Sequence, residues 1–227
     1  MNRRKCWICG AGDFTSRLLA PRSGELVVAA DGGLAHLKRL RILPQHILGD
    51  FDSLGYRPAG ENVEGFPPEK DDTDMLMAVK YGLRQGCGTF LLYGGLGGRL
   101  SHTMANLQVL RFLCSQGCHG ILVGEDSIIT MIQNETVTFR EPCRGMLSVF
   151  SQGGTAEGVT IQSLKYTVQD ACLTPDYPLG VSNEFIGEEA EISVRHGTLL
   201  LVWEDAASDF AQMRFRPLRD QKEREEL

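Results

Sequence analysis

From Cys6 to Val123 the chain repeats one pattern: a short apolar run, a cluster of glycine or aspartate, then a stretch with helical spacing. That alternation calls for βα units around a parallel sheet. The runs are Cys6–Cys9, Leu26–Ala30, Ile47–Leu48, Phe90–Tyr93 and Ile121–Val123. Between them, Leu76, Val79 and Leu83 fall on one helical face, as do Leu107, Leu110 and Cys114.

After about Ser127 the period changes from helical to two, in Thr136-Val137-Thr138-Phe139, Val159-Thr160-Ile161-Gln162 and Glu191-Ile192-Ser193-Val194. Such alternation predicts an antiparallel, half-exposed sheet, with turns at Glu141-Pro142, Gly153-Gly154, Pro175 to Pro178 and His196-Gly197. The expected fold class is an N-terminal α/β domain with a mainly parallel sheet, residues 1–127, followed by an all-β sandwich or barrel, residues 128–218. The almost wholly charged stretch 219–227 reads as a frayed tail. A length of 227 residues, 42% hydrophobic, accommodates two such domains.

A net charge of -6 gives no reason to expect nucleic acid as a partner, so any phosphate chemistry rests on a local site. No segment offers the roughly 20 apolar residues that span a bilayer, and no secretory signal is recognisable. The expectation is therefore no membrane association and a cytoplasmic location. Seven scattered cysteines fit reduced thiols in such a compartment. Cys6 and Cys9 form a CxxC, but without a second pair or a following helix start they read as buried residues of the first strand.

Four polar clusters follow predicted strands: Asp31-Gly32-Gly33, Gly49-Asp50-Phe51-Asp52-Ser53, Lys70-Asp71-Asp72-Thr73-Asp74 and Gly94-Gly95-Leu96-Gly97-Gly98-Arg99. In open α/β sheets ligands bind at the carboxyl ends of the strands, so these clusters are expected to converge. On an extended segment Asp50 and Asp52 share a face, and two close carboxylates repel unless a cation lies between them. With Asp31 and Asp74 at the same rim, the four acids form a candidate magnesium site; the alternative is that Asp50 and Ser53 only turn the chain. Thr73 or Asp72 is a candidate helix cap, and Lys70 beside Asp71 supplies a compact cation for phosphate. Gly95, Gly97 and Gly98 free the backbone to approach phosphate oxygens, and Arg99 adds a two-pronged grip. His102 is open between general base, phosphate ligand and helix cap.

Taken in order, these four clusters with His102 resemble the thiamine pyrophosphokinase family, and Gly180-Val181-Ser182-Asn183-Glu184 resembles part of its thiamine-binding β domain. The resemblance spans about Cys6 to Trp203. It implies an ATP-dependent diphosphotransferase that converts thiamine and ATP to thiamine diphosphate and AMP, acting as a homodimer with thiamine held between subunits. It also implies that Asp31, Asp50, Asp52 and Asp74 surround magnesium and the phosphates, and that the glycine turn with Arg99 holds the nucleotide phosphates; Gly32, Lys70, Asp71 and His102 are further candidates for contact with the nucleotide. Ser182 and Asn183 would help to hold thiamine. One position departs from the pattern: Ser101 stands where the family usually has Asp. Trp203 is either a stacking partner for the thiazolium charge or a core residue. Two other classes compete: a magnesium-dependent phosphohydrolase, which would leave Ser182 and Asn183 without a task, and a non-catalytic thiamine or nucleotide sensor.

Overall fold

The computed structural model describes residues 4–67, 69 and 71–218, so Lys70 and the charged tail at 219–227 lie outside the described residues. The chain divides into two compact units, one ending at Glu125 and the other beginning at Asp126.

In the first unit, apolar runs become β1 (Lys5–Cys9), β2 (Leu26–Ala30) and β3 (His46–Gly49), with α1 (Gly33–Arg39) between the last two. After β4 (Val63–Gly65) come α2 (Asp74–Arg84), β5 (Thr89–Tyr93), α3 (Leu100–Ser115) and β6 (His119–Val123). The six strands run parallel in the order β6-β5-β1-β2-β3-β4. Successive strands leave β1 first to one side and then to the other, which opens a crevice at the carboxyl ends near β1. β4 has three residues, too few to show a period, and the sequence gives no sign of it.

Both long helices bury faces turned by about one residue from those expected. In α2 the buried set is Met75, Ala78, Val79 and Gly82, while Leu76 and Leu83 are half-buried. The small residues let the helix settle close to the sheet: a Cβ on Gly82 would meet Phe90 Cε1 at 2.6 Å and Cys6 Sγ at 2.9 Å. In α3 the buried set is Asn106, Val109, Leu110 and Leu113, with Leu107 and Cys114 half-buried. Counting only large apolar side chains misses faces built from Ala, Gly and Asn. Cys6 and Cys9 are fully buried in β1, and burial raises the Cys9 thiol to about 12. No helix among the described residues is long and apolar enough to cross a membrane.

The second unit begins with β7 (Ser127–Gln133), β8 (Glu135–Phe139), β9 (Met146–Ser151) and β10 (Ala156–Gln162). It continues with β11 (Val168–Leu173), β12 (Gly180–Glu184), β13 (Ala190–Ser193), β14 (Thr198–Glu204) and β15 (Met213–Pro217). Antiparallel pairing gives one set in the order β12-β9-β14-β7 and a second sheet in the order β11-β10-β13-β8-β15. Their apolar faces meet as a sandwich. β10 alternates as expected, but in β8 Thr136 and Thr138 are buried along with Val137 and Phe139. The threonine face is roofed because Arg216 of β15 reaches across β8 to the Glu191 carboxylate of β13.

Trp203 is a core residue, 2% exposed, which settles its alternatives against an open stacking face within this unit. Its ring meets Phe139 at 5.6 Å and 89° and Phe185 at 5.2 Å, and its N–H donates to the Arg144 carbonyl at 2.7 Å. Strand alternation explains the outcome: Leu199, Leu201 and Trp203 share the inner face of β14. Trp203→Ala is expected to lower the unfolding free energy by about 3–5 kcal/mol in urea titrations; a loss under about 1 kcal/mol would show that the ring is not an anchor of the sandwich.

Candidate active site

Four carboxyl ends of the parallel sheet, those of β1, β2, β3 and β5, open into a cleft of about 630 Å³. One wall is acidic. Single carboxylate oxygens of Asp31, Asp50 and Asp74 all lie within 4.8 Å of one another. Each acid reaches that point through a different local device.

Asp31 follows β2 in the left-handed region, φ 49°, with its N–H donated to the Leu48 carbonyl and its own carbonyl accepting from Leu34 in α1. The side chain is 6% exposed, and Oδ1 is buried with no hydrogen-bond partner among the described residues. An orphaned buried carboxylate oxygen is costly unless a cation meets it. Asp50 approaches because Gly49 has no side chain: a Cβ there would stand 3.0 Å from the Asp31 Cα, and its φ of 149° favours glycine as well. Asp74 opens α2, whose N-cap Thr73 accepts from the Leu76 N–H at 3.2 Å. Of the two candidate caps, Thr73 is the one used, while Asp72 pairs with Lys80 at 2.5 Å.

Asp52 is not part of this cluster. The extended geometry that would have placed it beside Asp50 is broken at Phe51, which is 4% exposed and left-handed at φ 66°, and Asp52 starts a short 3₁₀ turn with an exposed side chain. Burying the Phe51 ring turns the next residue outward. What Asp52 does contribute is its N–H, donated to Asp50 Oδ1 at 3.1 Å.

The opposite wall is the glycine turn. Gly97 and Gly98 are both left-handed, φ 71° and 59°, and their N–H groups have no hydrogen-bond partner among the described residues. Successive left-handed amides of this kind form an anion-binding concavity. Gly97 also leaves room for the Asp13 carboxylate, which a Cβ would strike at 1.9 Å. The positive end of α3 points from the same wall, with Arg99 as its N-cap and His102 in its first turn, both exposed and lining the cleft. Asp71 and Asp72 line the mouth. Gly32 lies just behind, packed between Ala11 and Ser53.

Two contributors escaped sequence reasoning. Gly10-Ala11-Gly12 lines the cleft and belongs to the loop after β1. Its signal, glycines directly after an apolar run, was the same as that of the Gly94–Gly98 cluster. Under this loop the His36 ring stacks on Phe14 at 4.3 Å; burial, then the Arg39 charge, lowers its pKa, while the Gly12 backbone pulls it up. The second is Asn106, a polar residue on the buried face of α3, which no apolar period could reveal.

In the second unit, Ser182 is exposed in a left-handed conformation, φ 61°, at the irregular part of the β12–β9 pairing. Asn183 is 5% exposed and its side chain is engaged: it donates to the Tyr166 carbonyl at 2.6 Å and accepts from the Tyr166 and Glu184 N–H groups, both at 2.9 Å. The left-handed Ser182 breaks the alternation of β12, leaving Val181 and Ser182 both outside and turning Asn183 inward, so of Ser182 and Asn183 only Ser182 offers its side chain to a ligand here.

An acidic wall facing a basic helix start and glycine amides gives the cleft charge of both signs, complementary to an anion and a cation together. Residues 20–121 match the family model for the thiamin pyrophosphokinase catalytic domain, and residues 132–199 match the model for the thiamin pyrophosphokinase vitamin B1 binding domain. A thiamine pyrophosphokinase of Bacillus subtilis (strain 168) is 24% identical over 184 residues, 78% of this chain and 86% of the relative. The crystal structure of thiamine pyrophosphokinase from Bacillus subtilis superposes with a TM-score of 0.80 at 21% identity, covering 89% of this chain and 99% of the other. That of a family protein from Enterococcus faecalis gives 0.74 at 25% identity, covering 89% and 99%. This chain belongs to the thiamin pyrophosphokinase family, and it is an enzyme of that class.

The geometry predicts that Asp50→Asn lowers affinity for Mn2+, read by electron paramagnetic resonance, by at least about tenfold, and by more than Asp52→Asn does. Equal losses in the two variants would place Asp52 among the direct ligands.

Proposed function

We propose that the chain transfers the diphosphate of ATP to the hydroxyl of thiamine, with magnesium held by Asp31, Asp50 and Asp74, in a cytoplasmic homodimer whose thiamine site lies at the interface between subunits. The observation that carries the reading is the facing, across one cleft of the family's catalytic domain, of a buried carboxylate oxygen and two glycine amides that have no hydrogen-bond partner among the described residues. The three carboxylates offer hard oxygen ligands, and an octahedral magnesium that took one oxygen from each would keep positions for phosphate and water. When bound, magnesium neutralises charge on the phosphate oxygens.

The protein's own groups do the rest. Gly97 and Gly98 donate N–H bonds to phosphate oxygens, and Arg99 grips the group in transfer with two parallel donors. The thiamine hydroxyl oxygen bonds to the β-phosphorus, the bond from that phosphorus to the α–β bridging oxygen breaks, and AMP departs with the electron pair. The hydroxyl proton passes to His102 or to water; His102 lines the cleft at the start of α3, within the same wall as Arg99. Asp71 lines the same cleft, and a lysine next to it in the sequence, Lys70, would supply a compact cation for phosphate. No covalent intermediate is needed, because positioning and charge neutralisation carry this class of reaction.

Thiamine needs an apolar enclosure that the cleft, lined chiefly by acids and glycines, does not supply. The second unit exposes Tyr166, Tyr177, Leu179, Val181 and Ile186 around Ser182, at exposures of 43–66%. That surface supports both a subunit interface and a wall for the pyrimidine and thiazolium rings. Seven cysteines, all free, fit a reducing compartment.

With ATP, magnesium and thiamine, the protein is expected to form AMP and thiamine diphosphate one for one, without inorganic phosphate, and light scattering of the active species should return twice the chain mass. Inorganic phosphate in place of AMP would favour a phosphohydrolase. Binding of both ligands without product would favour a sensor.

A further inference from the structure

Asn106 is 7% exposed, yet it lines the cleft. It is the one polar member of the buried face of α3, among Val109, Leu110 and Leu113. Its Nδ2 donates to the Gly95 carbonyl at 2.6 Å. A carbonyl can only accept, so this contact fixes the amide with nitrogen toward Gly95 and Oδ1 directed away from it.

The glycine turn is tied on both sides of that point. The Gly12 N–H donates to the Gly94 carbonyl and the Asp13 N–H to the Leu96 carbonyl, each at 2.9 Å. Three consecutive carbonyls, those of Gly94, Gly95 and Leu96, are therefore held by donors. Two are held by the backbone of the neighbouring loop, and the middle one by a side chain. With carbonyls pinned behind the turn, the amides of Gly97 and Gly98 are left facing the cleft.

We propose that Asn106 is a positioning residue for the phosphate turn: it locks the Gly95 peptide so that the Gly97 and Gly98 amides are aimed at the nucleotide phosphates. The inference rests on the reading of the cleft as a nucleotide site. Without the Asn106 donor, the buried Gly95 carbonyl loses its partner, and the peptide can rotate toward the cleft, where its oxygen would face phosphate oxygens. α3 also carries Arg99 and His102, so the same tie keeps the guanidinium in register with the amides. Asn106 sits on the glycine wall and not among Asp31, Asp50 and Asp74, so its loss should separate nucleotide binding from metal binding.

Two variants test this. Asn106→Leu keeps the volume and removes the amide. Asn106→Asp keeps the shape and an oxygen, removes the donor, and serves if Asn106→Leu does not fold. Calorimetry with the non-cleavable analogue α,β-methylene-ATP and magnesium should show binding weakened by about tenfold or more in either folded variant, as loss of a buried hydrogen bond implies. Affinity for Mn2+ alone should stay within about twofold of wild type. Wild-type analogue affinity in both variants would overturn the proposal, as would parallel losses of Mn2+ and analogue, the mark of a general structural role. A wild-type protein that binds Mn2+ but not the analogue would instead overturn the nucleotide reading on which the proposal stands.

Discussion

Three carboxylates brought within 4.8 Å of one another are the constraint on which the rest of the first unit depends. At that spacing two charges repel by on the order of 3–4 kcal/mol at an effective dielectric of about 20. Local backbone structure holds them there: a left-handed Asp31, a glycine that lets β3 end against it, a buried left-handed Phe51 and a capped helix start at Thr73. Among the described residues Asp31 Oδ1 has no partner, and a cation is the group that would relieve both that oxygen and the repulsion, which is the ground of the proposed metal site.

The parallel sheet makes the convergence possible. Because β1 lies between strands that leave to either side, the acids after β2 and β3 and the glycine turn after β5 reach the same end of the sheet. The two walls have opposite electrostatic character. The acids face a helix start, an arginine and bare amides, so a polyanion with a bridging cation fits between them, whereas either wall alone would hold one part of that ligand.

Much of this was legible in the sequence, because the apolar runs carry a local signal. β1, β2, β3, β5 and β6 each contain the run that predicts them, and three of the four candidate acids meet. What was hidden depends on tertiary packing. Asp52 followed a rule for extended chain that Phe51 breaks by turning left-handed. The faces of α2 and α3 were misplaced by one residue because Gly82 and Asn106 pack inward. Trp203 and Asn183 carry chemistry that suits a ligand, yet alternation along β14 points Trp203 inward, and the left-handed Ser182 turns Asn183 inward onto the Tyr166 backbone. Residue type suggests what a side chain can do, and only the register of its strand says where it does it.

The central claim is that Asp31, Asp50 and Asp74 hold a single metal site facing the glycine turn. Crystals of the protein grown with α,β-methylene-ATP and Mn2+, measured for anomalous scattering, address it directly. The account predicts an anomalous peak with one oxygen from each of the three carboxylates at about 2.1 Å and analogue phosphate oxygens completing the shell. A peak that excludes Asp31, or lies nearer to Asp52 than to Asp50, would contradict it.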